Sequence, residues 1–236
     1  MTAPRTHTFF ITGTDTGVGK TLVTAALMTA LQARGLRCLV AKPIQTGCAD
    51  GADDLAWCRQ WSVPPTEPAL ASITSLYRLP LPASPDLAAR HAGVSIDLTR
   101  IADAMTEART QTDILLIEGA GGLLAPVTRT ATMLDLITAC HARPVVVTRA
   151  SLGTLNHTAL TLRELARHDI TPAALVVNET APAGNADDTL IQNDNVECIL
   201  RLAQPAPVCR IGFLASVTRE TLARAGRELA AHLVPG

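Results

Sequence analysis

Groups that can bind phosphate are concentrated in the segment GTDTGVGKT, residues 13–21. The usual phosphate-loop pattern, G-x-x-x-x-G-K-[ST], would place a glycine at position 14, but this chain has Thr14 there and Gly13 one place earlier. The segment lies between an apolar strand-like run and a helical run, which is the context that a phosphate loop requires. Backbone N–H groups and a helix N-terminus can bind phosphate without a glycine at position 14. We therefore predict a variant phosphate loop, rather than an ordinary turn, in which Lys20 supplies charge and Thr21 offers a hydroxyl to Mg²⁺. The glycines that shape its backbone are Gly13, Gly17 and Gly19.

Carboxylates that can bind Mg²⁺ occur at two other places. Glu118 ends the apolar run DILLIE and precedes the segment GAGG, while Asp53 and Asp54 stand at a predicted helix start. Carboxylate oxygens suit a hard cation, and glycines let the backbone approach a ligand closely. Each feature also has a plainer interpretation, because glycines mark turns and aspartates cap helices. The residues alone leave open which of the two aspartates binds metal.

Three further predicted strand or helix ends carry polar groups that can hold a substrate. Lys42, in VAKPIQTG, would point into the same crevice as Lys20, although most lysines are simply exposed. In SLGTLNHT, residues 151–158, the helix start after Gly153 offers N–H groups for a carboxylate, and a structural cap is the alternative. Asn178 ends the run ALVVN and offers a donor and an acceptor for a nucleotide base, unless it is a turn asparagine.

These residues follow apolar runs that are rich in Val, Ile and Leu and do not alternate with polar residues. Such runs are typical of strands buried on both faces of a parallel sheet. Helical stretches separate them, which predicts a doubly wound α/β fold with about seven mostly parallel strands flanked by helices. Ligands of such sheets bind at the carboxyl ends of the strands. Predicted strands span 7–12, 37–41, 113–118, 144–148, 173–178, 207–211 and, more weakly, 72–79. Predicted helices span 20–34, 53–61, 86–92, 98–110, 132–141, 155–168 and 218–233. Residues 179–195 are polar and predict a surface loop.

Composition limits the function classes. The chain has 236 residues, which favours one domain spanning 1–236, and its net charge of −1 indicates no nucleic-acid partner. No apolar run reaches the length of a membrane span, and the N-terminal residues lack the apolar core of a signal peptide. The six cysteines show no C-x-x-C or zinc-ligand spacing, so we expect free thiols and a cytoplasmic protein.

The segments GTDTGVGKT, KPIQTG, EGAGGLL and LGTLNHT together resemble the motifs of dethiobiotin synthetases, in that family's order along the chain. The family's own loop, G-T-x-T-x-V-G-K-T, includes the displaced glycine. The resemblance implies a P-loop NTPase-like fold, ATP as co-substrate with Mg²⁺, and a homodimer. It also implies a reaction of 7,8-diaminononanoate with CO₂ or bicarbonate and ATP that gives dethiobiotin, ADP and phosphate. Similarity is weak beyond about residue 180, and some members have an acid where this chain has Gly17.

The resemblance also implies roles for individual residues. Catalytic roles would fall to Lys20, Thr21 and Lys42. Mg²⁺ would be held by Thr21, Glu118 and one of Asp53 and Asp54, since the register against family members allows either, with a slight preference for Asp54. The implied nucleotide-binding residues are Gly13, Thr14, Asp15, Thr16, Gly17, Val18, Gly19, Lys20, Thr21, Asp54, Glu118, Gly119, Ala120, Gly121, Asn178, Gly212, Phe213 and Leu214. The implied diamine-binding residues are Lys42, Thr46, Gly121 and, across the homodimer interface, Leu152, Gly153, Thr154 and Asn156.

Two other functions share a phosphate loop of this kind. An amidoligase-like enzyme would usually add a glutaminase domain with a catalytic cysteine, for which this chain is too short. A partitioning or regulatory ATPase usually has a second lysine early in the loop, where this chain has residues 12–15, TGTD.

Overall fold

The computed structural model describes residues 6–49, 51, 53–63 and 70–235. Its centre is a six-stranded sheet in the order β2-β5-β1-β6-β7-β8, with every neighbouring pair parallel. A separate parallel pair is formed by β3 and β4. The strands are β1 His7–Gly13, β2 Cys38–Ala41, β3 Ile44–Thr46, β4 Tyr77–Leu79, β5 Ile114–Gly122, β6 Arg143–Arg149, β7 Ala174–Asn178 and β8 Val208–Ile211.

Helices cover both faces of the main sheet. They are α1 Lys20–Ala33, α2 Asp54–Arg59, α3 Ala71–Thr74, α4 Pro85–His91, α5 Leu98–Arg109, α6 Met133–Ala139, α7 Thr154–Arg167, α8 Ala186–Leu202, α9 Arg219–Ala225 and α10 Arg227–Leu233. Neighbouring strand residues point to opposite faces. Phe10 therefore packs in one core with α5 and α6, whereas Phe9 and Ile11 pack in the other with α1 and α10. The predicted doubly wound, mostly parallel fold is confirmed, with six strands in the main sheet.

Three predicted elements differ from the structure. The weak strand predicted at 72–79 is helix α3 followed by β4, and the helix predicted at 218–233 is two helices, α9 and α10. They meet at Gly226, where a Cβ would overlap the carbonyl of Ala26 in α1, so close helix packing explains the break. The loop predicted at 179–195 is wrong in its second half, because α8 begins at Ala186.

Helix α8 escaped prediction because its sequence has little apolar periodicity. Only Asn195 and Ile199 are buried in its 17 residues, and Asn185 caps its start by accepting the N–H of Asp188. The predicted free thiols are confirmed, since all six cysteines are unpaired. Among the described residues, no helix combines the length and apolar character needed to cross a membrane.

Candidate functional site

The phosphate loop joins the carboxyl end of β1 to the start of α1. The N–H of Thr14 donates to the carbonyl of Val147 in β6, at 2.9 Å, which fixes the loop against the neighbouring strand. Gly19 precedes α1 with φ of 91°, in the left-handed region that favours glycine. A Cβ at this position would also overlap the side-chain amide of Asn178. The displaced-glycine segment therefore does form a strand–loop–helix turn of the predicted kind.

Lys20 is the first residue of α1, and its side chain turns back over the loop. Its Nζ donates to the carbonyl of Asp15, at 3.0 Å, and the residue is buried. Burial lowers the pKa of the Lys20 ammonium to about 8, with Glu118 opposing the shift and Lys42 adding to it. The pKa of Lys20 is therefore close to neutral pH, and an anionic ligand would favour its charged form.

Lys42, Glu118, Asp54 and Thr21 form a second polar group beside the loop, which we call the carboxylate cluster. One Glu118 oxygen, Oε1, accepts a bond from Lys42 Nζ at 2.7 Å and from the Thr21 hydroxyl at 2.9 Å. Lys42 also donates to Asp54. Glu118 is brought here because β5 pairs with β1, which sets Glu118 beside Ile11, two residues before the loop.

The electrostatics of the cluster differ from those of Lys20. Burial alone lowers the pKa of Lys42, but Glu118 and Asp54 outweigh it through charge and hydrogen bonds, so the net pKa is raised. Glu118 is almost fully buried, whereas the Asp54 side chain is 44% exposed. The oxygen donors of Thr21, Asp54 and Glu118 are the hard ligands that Mg²⁺ prefers, so their chemistry fits that cation.

Asp53, the other candidate metal ligand, lies outside this cluster. Its Oδ1 accepts the N–H of Ala56 at 2.9 Å and so caps α2. Its Oδ2 accepts from Arg78 at 2.7 Å. Asp54 is the next residue, and it turns toward Lys42 instead. The helix cap and the ion pair occupy both Asp53 oxygens.

A cleft of about 710 Å³ lies above the loop and the carboxylate cluster. Its sequence-predicted lining residues are Thr16, Gly17, Gly19, Lys20, Thr21, Lys42, Thr46, Asp54, Glu118, Gly119, Ala120 and Gly121. One wall, residues 82–85, was not predicted, although the segment PASP stands just before a predicted helix. The two lysines and the carboxylates thus face a single cleft large enough for a small ligand.

The residues that we expected to contact the nucleotide base do not line this cleft. Asn178 is buried at the end of β7, and its Nδ2 donates to the carbonyl of Val18 at 3.0 Å. After β8, the N–H of Phe213 lies 3.4 Å from Glu179 Oε2, and Glu179 also pairs with Arg210. Gly212 and Phe213 are exposed and Leu214 is half-buried. Asn178 therefore supports the phosphate loop, a contact that its position at a strand end did not predict.

Only part of the helix start that we expected to bind the diamine is exposed. Leu152, Gly153 and Asn156 are exposed, and Gly153 has a φ of 89°. Thr154 is buried, its N–H donates to Ser151 at 3.2 Å, and its hydroxyl lies 2.7 Å from that of Thr148. The backbone N–H and the hydroxyl of Thr154 thus both contact groups of this chain, whereas the expectation for this helix start concerned its backbone N–H groups.

Two residues at the end of β6 escaped the sequence analysis. Thr148 lies between the phosphate loop and α7, with hydroxyl contacts to both. Arg149 Nη2 lies 3.9 Å from Asp15 Oδ2 in the phosphate loop. Their place at the end of the run PVVVT was the available signal, because strand ends were where ligands were expected.

Comparisons with known proteins identify the family and the fold. A protein-family model described as an AAA domain matches residues 7–221. The ATP-dependent dethiobiotin synthetase BioD of Anaeromyxobacter sp. (strain K) is 37% identical over 210 residues, which is 89% of this chain and 92% of the relative.

Two solved structures share the fold at low sequence identity. The MinC:MinD cell division protein complex of Aquifex aeolicus matches with a TM-score of 0.60 and 13% identity, over 96% of this chain and 93% of that one. A ParA family ATPase from Chlorobium tepidum TLS matches with a TM-score of 0.55 and 17% identity, over 99% of this chain and 93% of that one. These likenesses show the fold alone. Sequence identity over nearly the whole chain decides the family, and the chain belongs to the ATP-dependent dethiobiotin synthetases, which are ligases of biotin biosynthesis.

Proposed function

We propose that this protein converts 7,8-diaminononanoate, CO₂ and ATP into dethiobiotin, ADP and phosphate. The observation that carries the proposal is the carboxylate cluster beside the phosphate loop, in which Thr21 and Lys42 both bond to buried Glu118. Lys20, Lys42 and the oxygen donors of the cluster line one cleft, which supports roles in binding phosphate and Mg²⁺. The match to the family model over 7–221 supports a single domain for the whole reaction.

The reaction needs three steps that together consume one ATP. One amine of the diamine adds to CO₂ and loses a proton, which forms a carbamate. A carbamate oxygen then attacks the γ-phosphorus of ATP, so that ADP leaves and a carbamic-phosphoric anhydride forms. The second amine attacks the carbonyl carbon, phosphate leaves, and the cyclic urea closes. Bicarbonate enters through its equilibrium with CO₂.

The chain's own groups supply positioning and charge, which are what phosphoryl transfer chiefly needs. Lys20 and the loop amides would hold the phosphates, and Lys42 would face the carbamate and the γ-phosphate. Lys42 keeps its proton because its pKa is raised, so it offers positive charge where negative charge develops. Thr21, Asp54 and Glu118 would hold Mg²⁺, which when bound neutralises phosphate charge.

The diamine would lie across the cleft from the phosphate loop. Thr46 and Gly121 both line the cleft and would contact the diamine. The start of α7 would bind the substrate carboxylate, since the N–H groups of Leu155 and Asn156 lie in the first turn, where a helix leaves its amides unpaired. The exposed Leu152, Gly153 and Asn156 surround that start.

We also propose that the partner chain supplies this helix start, in a homodimer. The surface around α7 and α8 supports the idea, because Leu152, Leu160 and Leu190 are 83%, 58% and 68% exposed. Apolar side chains this exposed on adjacent elements favour burial against another protein surface. A two-fold interface would place two composite sites symmetrically.

Asn178 and residues Gly212, Phe213 and Leu214 would contact the base. One N–H of the Asn178 amide bonds to Val18, which leaves its second N–H and its oxygen for a base edge. A base with the wrong edge should bind roughly 5- to 150-fold more weakly, since an unpaired buried polar group costs about 1–3 kcal/mol. The ratio of ATP to GTP affinity should fall in Asn178→Ala, and an unchanged ratio would remove Asn178 from the base site.

The partitioning or regulatory ATPase is the second candidate, because MinD and ParA proteins share the fold. The loop residues Thr12, Gly13, Thr14 and Asp15 lack the additional lysine of that class. The chain's 37% identity to a dethiobiotin synthetase, against 13–17% to those ATPases, favours the ligase.

ATP hydrolysis with and without the two other substrates tests the function. We expect phosphate release to require both the diamine and bicarbonate, with dethiobiotin detected in equal amount by mass spectrometry. Lys20→Ala should lower turnover at least about 100-fold, because one lost charge-stabilising group costs that much. Its circular dichroism and melting temperature control for folding. Substrate-independent hydrolysis without dethiobiotin would refute the ligase.

A further inference from the structure

Four threonine hydroxyls, three of them on buried residues, join the phosphate loop to the start of α7. We call Thr14, Thr148, Thr154 and Thr158 the threonine cluster. The Thr14 hydroxyl donates to that of Thr148 at 3.1 Å. The Thr148 hydroxyl also lies 2.7 Å from that of Thr154 and 2.9 Å from that of Thr158. Thr148, Thr154 and Thr158 are all fully or almost fully buried.

The hydroxyl of Thr148 is the centre of this cluster and is saturated. A hydroxyl has one donor and two acceptor lone pairs, and Thr148 uses all three with its three neighbours. A shift of the Thr14 hydroxyl therefore leaves a buried lone pair of Thr148 unmatched. Reorientation of the Thr148 hydroxyl would in turn change its bonds to α7.

The two ends of the cluster belong to two proposed sites of the homodimer, because Thr14 lies in this chain's own phosphate loop and the start of α7 serves the partner's. Thr14 follows Gly13 in the phosphate loop, and its backbone N–H is itself held by Val147 of β6. Thr154 is the first residue of α7 and precedes the first-turn amides proposed to bind the substrate carboxylate. The cluster thus links the loop to that helix start through one residue of β6, Thr148.

We propose that Thr148 is a positioning residue that couples nucleotide binding at the phosphate loop to diamine binding at the start of α7. Nucleotide that orders Thr14 fixes the hydroxyl network, and the network holds Thr154 and the first turn of α7. Coupling of this kind is reciprocal, so each ligand tightens the other by the same factor. The link to the diamine rests on the proposed function, whereas the link between the loop and α7 does not.

Matched threonine variants separate this role from general stability. Thr148→Val keeps the shape and removes the hydroxyl, while Thr148→Ser keeps the hydroxyl. Thr161→Val is the control, because Thr161 lies in the same helix and its hydroxyl donates to the backbone carbonyl of His157, at 2.9 Å, outside the cluster. Thr158→Val removes one contact of the cluster and serves if Thr148→Val fails to fold, in which case a partial loss of coupling is expected.

The first measurement is the Kd of 7,8-diaminononanoate by calorimetry, with and without a saturating non-hydrolysable ATP analogue and Mg²⁺. In the wild type the nucleotide should tighten diamine binding roughly 5- to 150-fold. The factor should fall close to one in Thr148→Val and stay at the wild-type value in Thr148→Ser and Thr161→Val. A wild-type factor in Thr148→Val, or a factor of one in the wild type, would overturn the proposal.

The second measurement needs no diamine. Backbone amide NMR signals of residues 152–158 should shift when the ATP analogue binds to the wild type. In Thr148→Val the signals of residues 14–21 should still shift while those of 152–158 stay unchanged. If the diamine binds to no variant, the proposed function fails, and this second measurement still decides whether the cluster couples the loop to α7. Equal shifts at 152–158 in wild type and Thr148→Val would refute the coupling.

Discussion

Lys20 and Lys42 face the same cleft, yet their pKa values move in opposite directions. Burial lowers the pKa of Lys20 to about 8, because its nearest bonded partner is a neutral carbonyl, that of Asp15. Lys42 is also buried, but Glu118 and Asp54 raise its pKa. The protonation of Lys20 is therefore sensitive to pH near neutrality, while Lys42 remains charged.

The affinity for nucleotide should weaken as pH rises through about 8. Above that pH the free protein loses the Lys20 charge, so the Kd of a non-hydrolysable ATP analogue should rise by at most about tenfold per pH unit. Lys20→Arg should remove this dependence up to pH 10, because a guanidinium stays protonated. Calorimetric titrations between pH 6 and 10 measure it, and a flat profile for the wild type would show that Lys20 does not titrate there.

The same shift has a consequence for stability. In the unfolded chain the lysine pKa is about 10.5, so between pH 8 and 10.5 the unfolded state binds more protons than the folded state. The contribution of Lys20 to the free energy of unfolding therefore rises across that window in the ligand-free protein.

The three candidate metal carboxylates should separate into two classes. Glu118→Gln and Asp54→Asn should raise the Mg²⁺ concentration for half-maximal activity by at least roughly tenfold, since they remove oxygen ligands or their supports. Asp53→Asn is the matched control and should leave it unchanged, because Asp53 caps α2 and pairs with Arg78.

Folding must be checked for Glu118→Gln, since breaking a buried ion pair destabilises a protein. Wild-type Mg²⁺ titrations in both Glu118→Gln and Asp54→Asn would mean that the metal is held elsewhere.

At the scale of elements, α8 is held to the molecule by few buried contacts. Asn195 donates from its Nδ2 to the carbonyl of Ala150 at 2.8 Å, just before the turn into α7. Asn193 accepts from Arg210, whose other partner, Glu179, lies near the N–H of Phe213. The helix thus contacts the approach to both the proposed diamine turn and the proposed base segment.

Removing the Asn195 amide should destabilise the protein measurably. Asn195→Ala leaves the buried Ala150 carbonyl without this donor, which should lower the free energy of unfolding by about 1–3 kcal/mol. Glu197→Ala, at an exposed position in the same helix, should change it by no more than about 0.5 kcal/mol. Urea denaturation of both variants and the wild type gives the comparison, and equal effects would mean that the Asn195 contact contributes nothing.

At the scale of the whole molecule, the sheet places the phosphate loop and α7 next to each other in one chain, because β1 pairs with β6. In the proposed dimer, the start of α7 from each chain would instead complete the site at the partner's phosphate loop. Mixing two inactive variants distinguishes the composite site from a self-contained one.

Lys20→Ala and Gly153→Trp should restore activity only when their subunits exchange. A mixed dimer has one site with both lesions and one with neither, so it should have about half the activity of a wild-type dimer. Gly153 suits the bulky change because open space surrounds it, although its φ of 89° makes a folding control necessary. Demonstrated exchange without recovery, or a monomeric mass for the active protein, would refute the shared site.

The sequence by itself determined the sheet and the edge where the site lies. Runs such as DILLIE and PVVVT show no alternation of apolar and polar residues, because both faces of these strands are buried. Burial on both faces can therefore be predicted from the composition of each strand alone. The loop around Gly13 and Lys20 was likewise visible, since its chemistry depends on residues that are neighbours in the chain.

Tertiary structure decided what depends on distant residues. Either aspartate could cap the start of α2 by its residue type, so only the tertiary structure could assign Asp53 to the cap and Asp54 to Lys42. Helix α8 is stabilised by contacts with distant residues, such as that of Asn195 with Ala150, and its own sequence pattern does not predict them. The insertion of β5 between β2 and β1 brings Glu118 to Lys42 and Thr21, and the pairing of β6 with β1 brings Thr148 to Thr14. Strand order is set by the packing of the whole chain, because neighbours in a parallel sheet are joined by connections long enough to allow several orders.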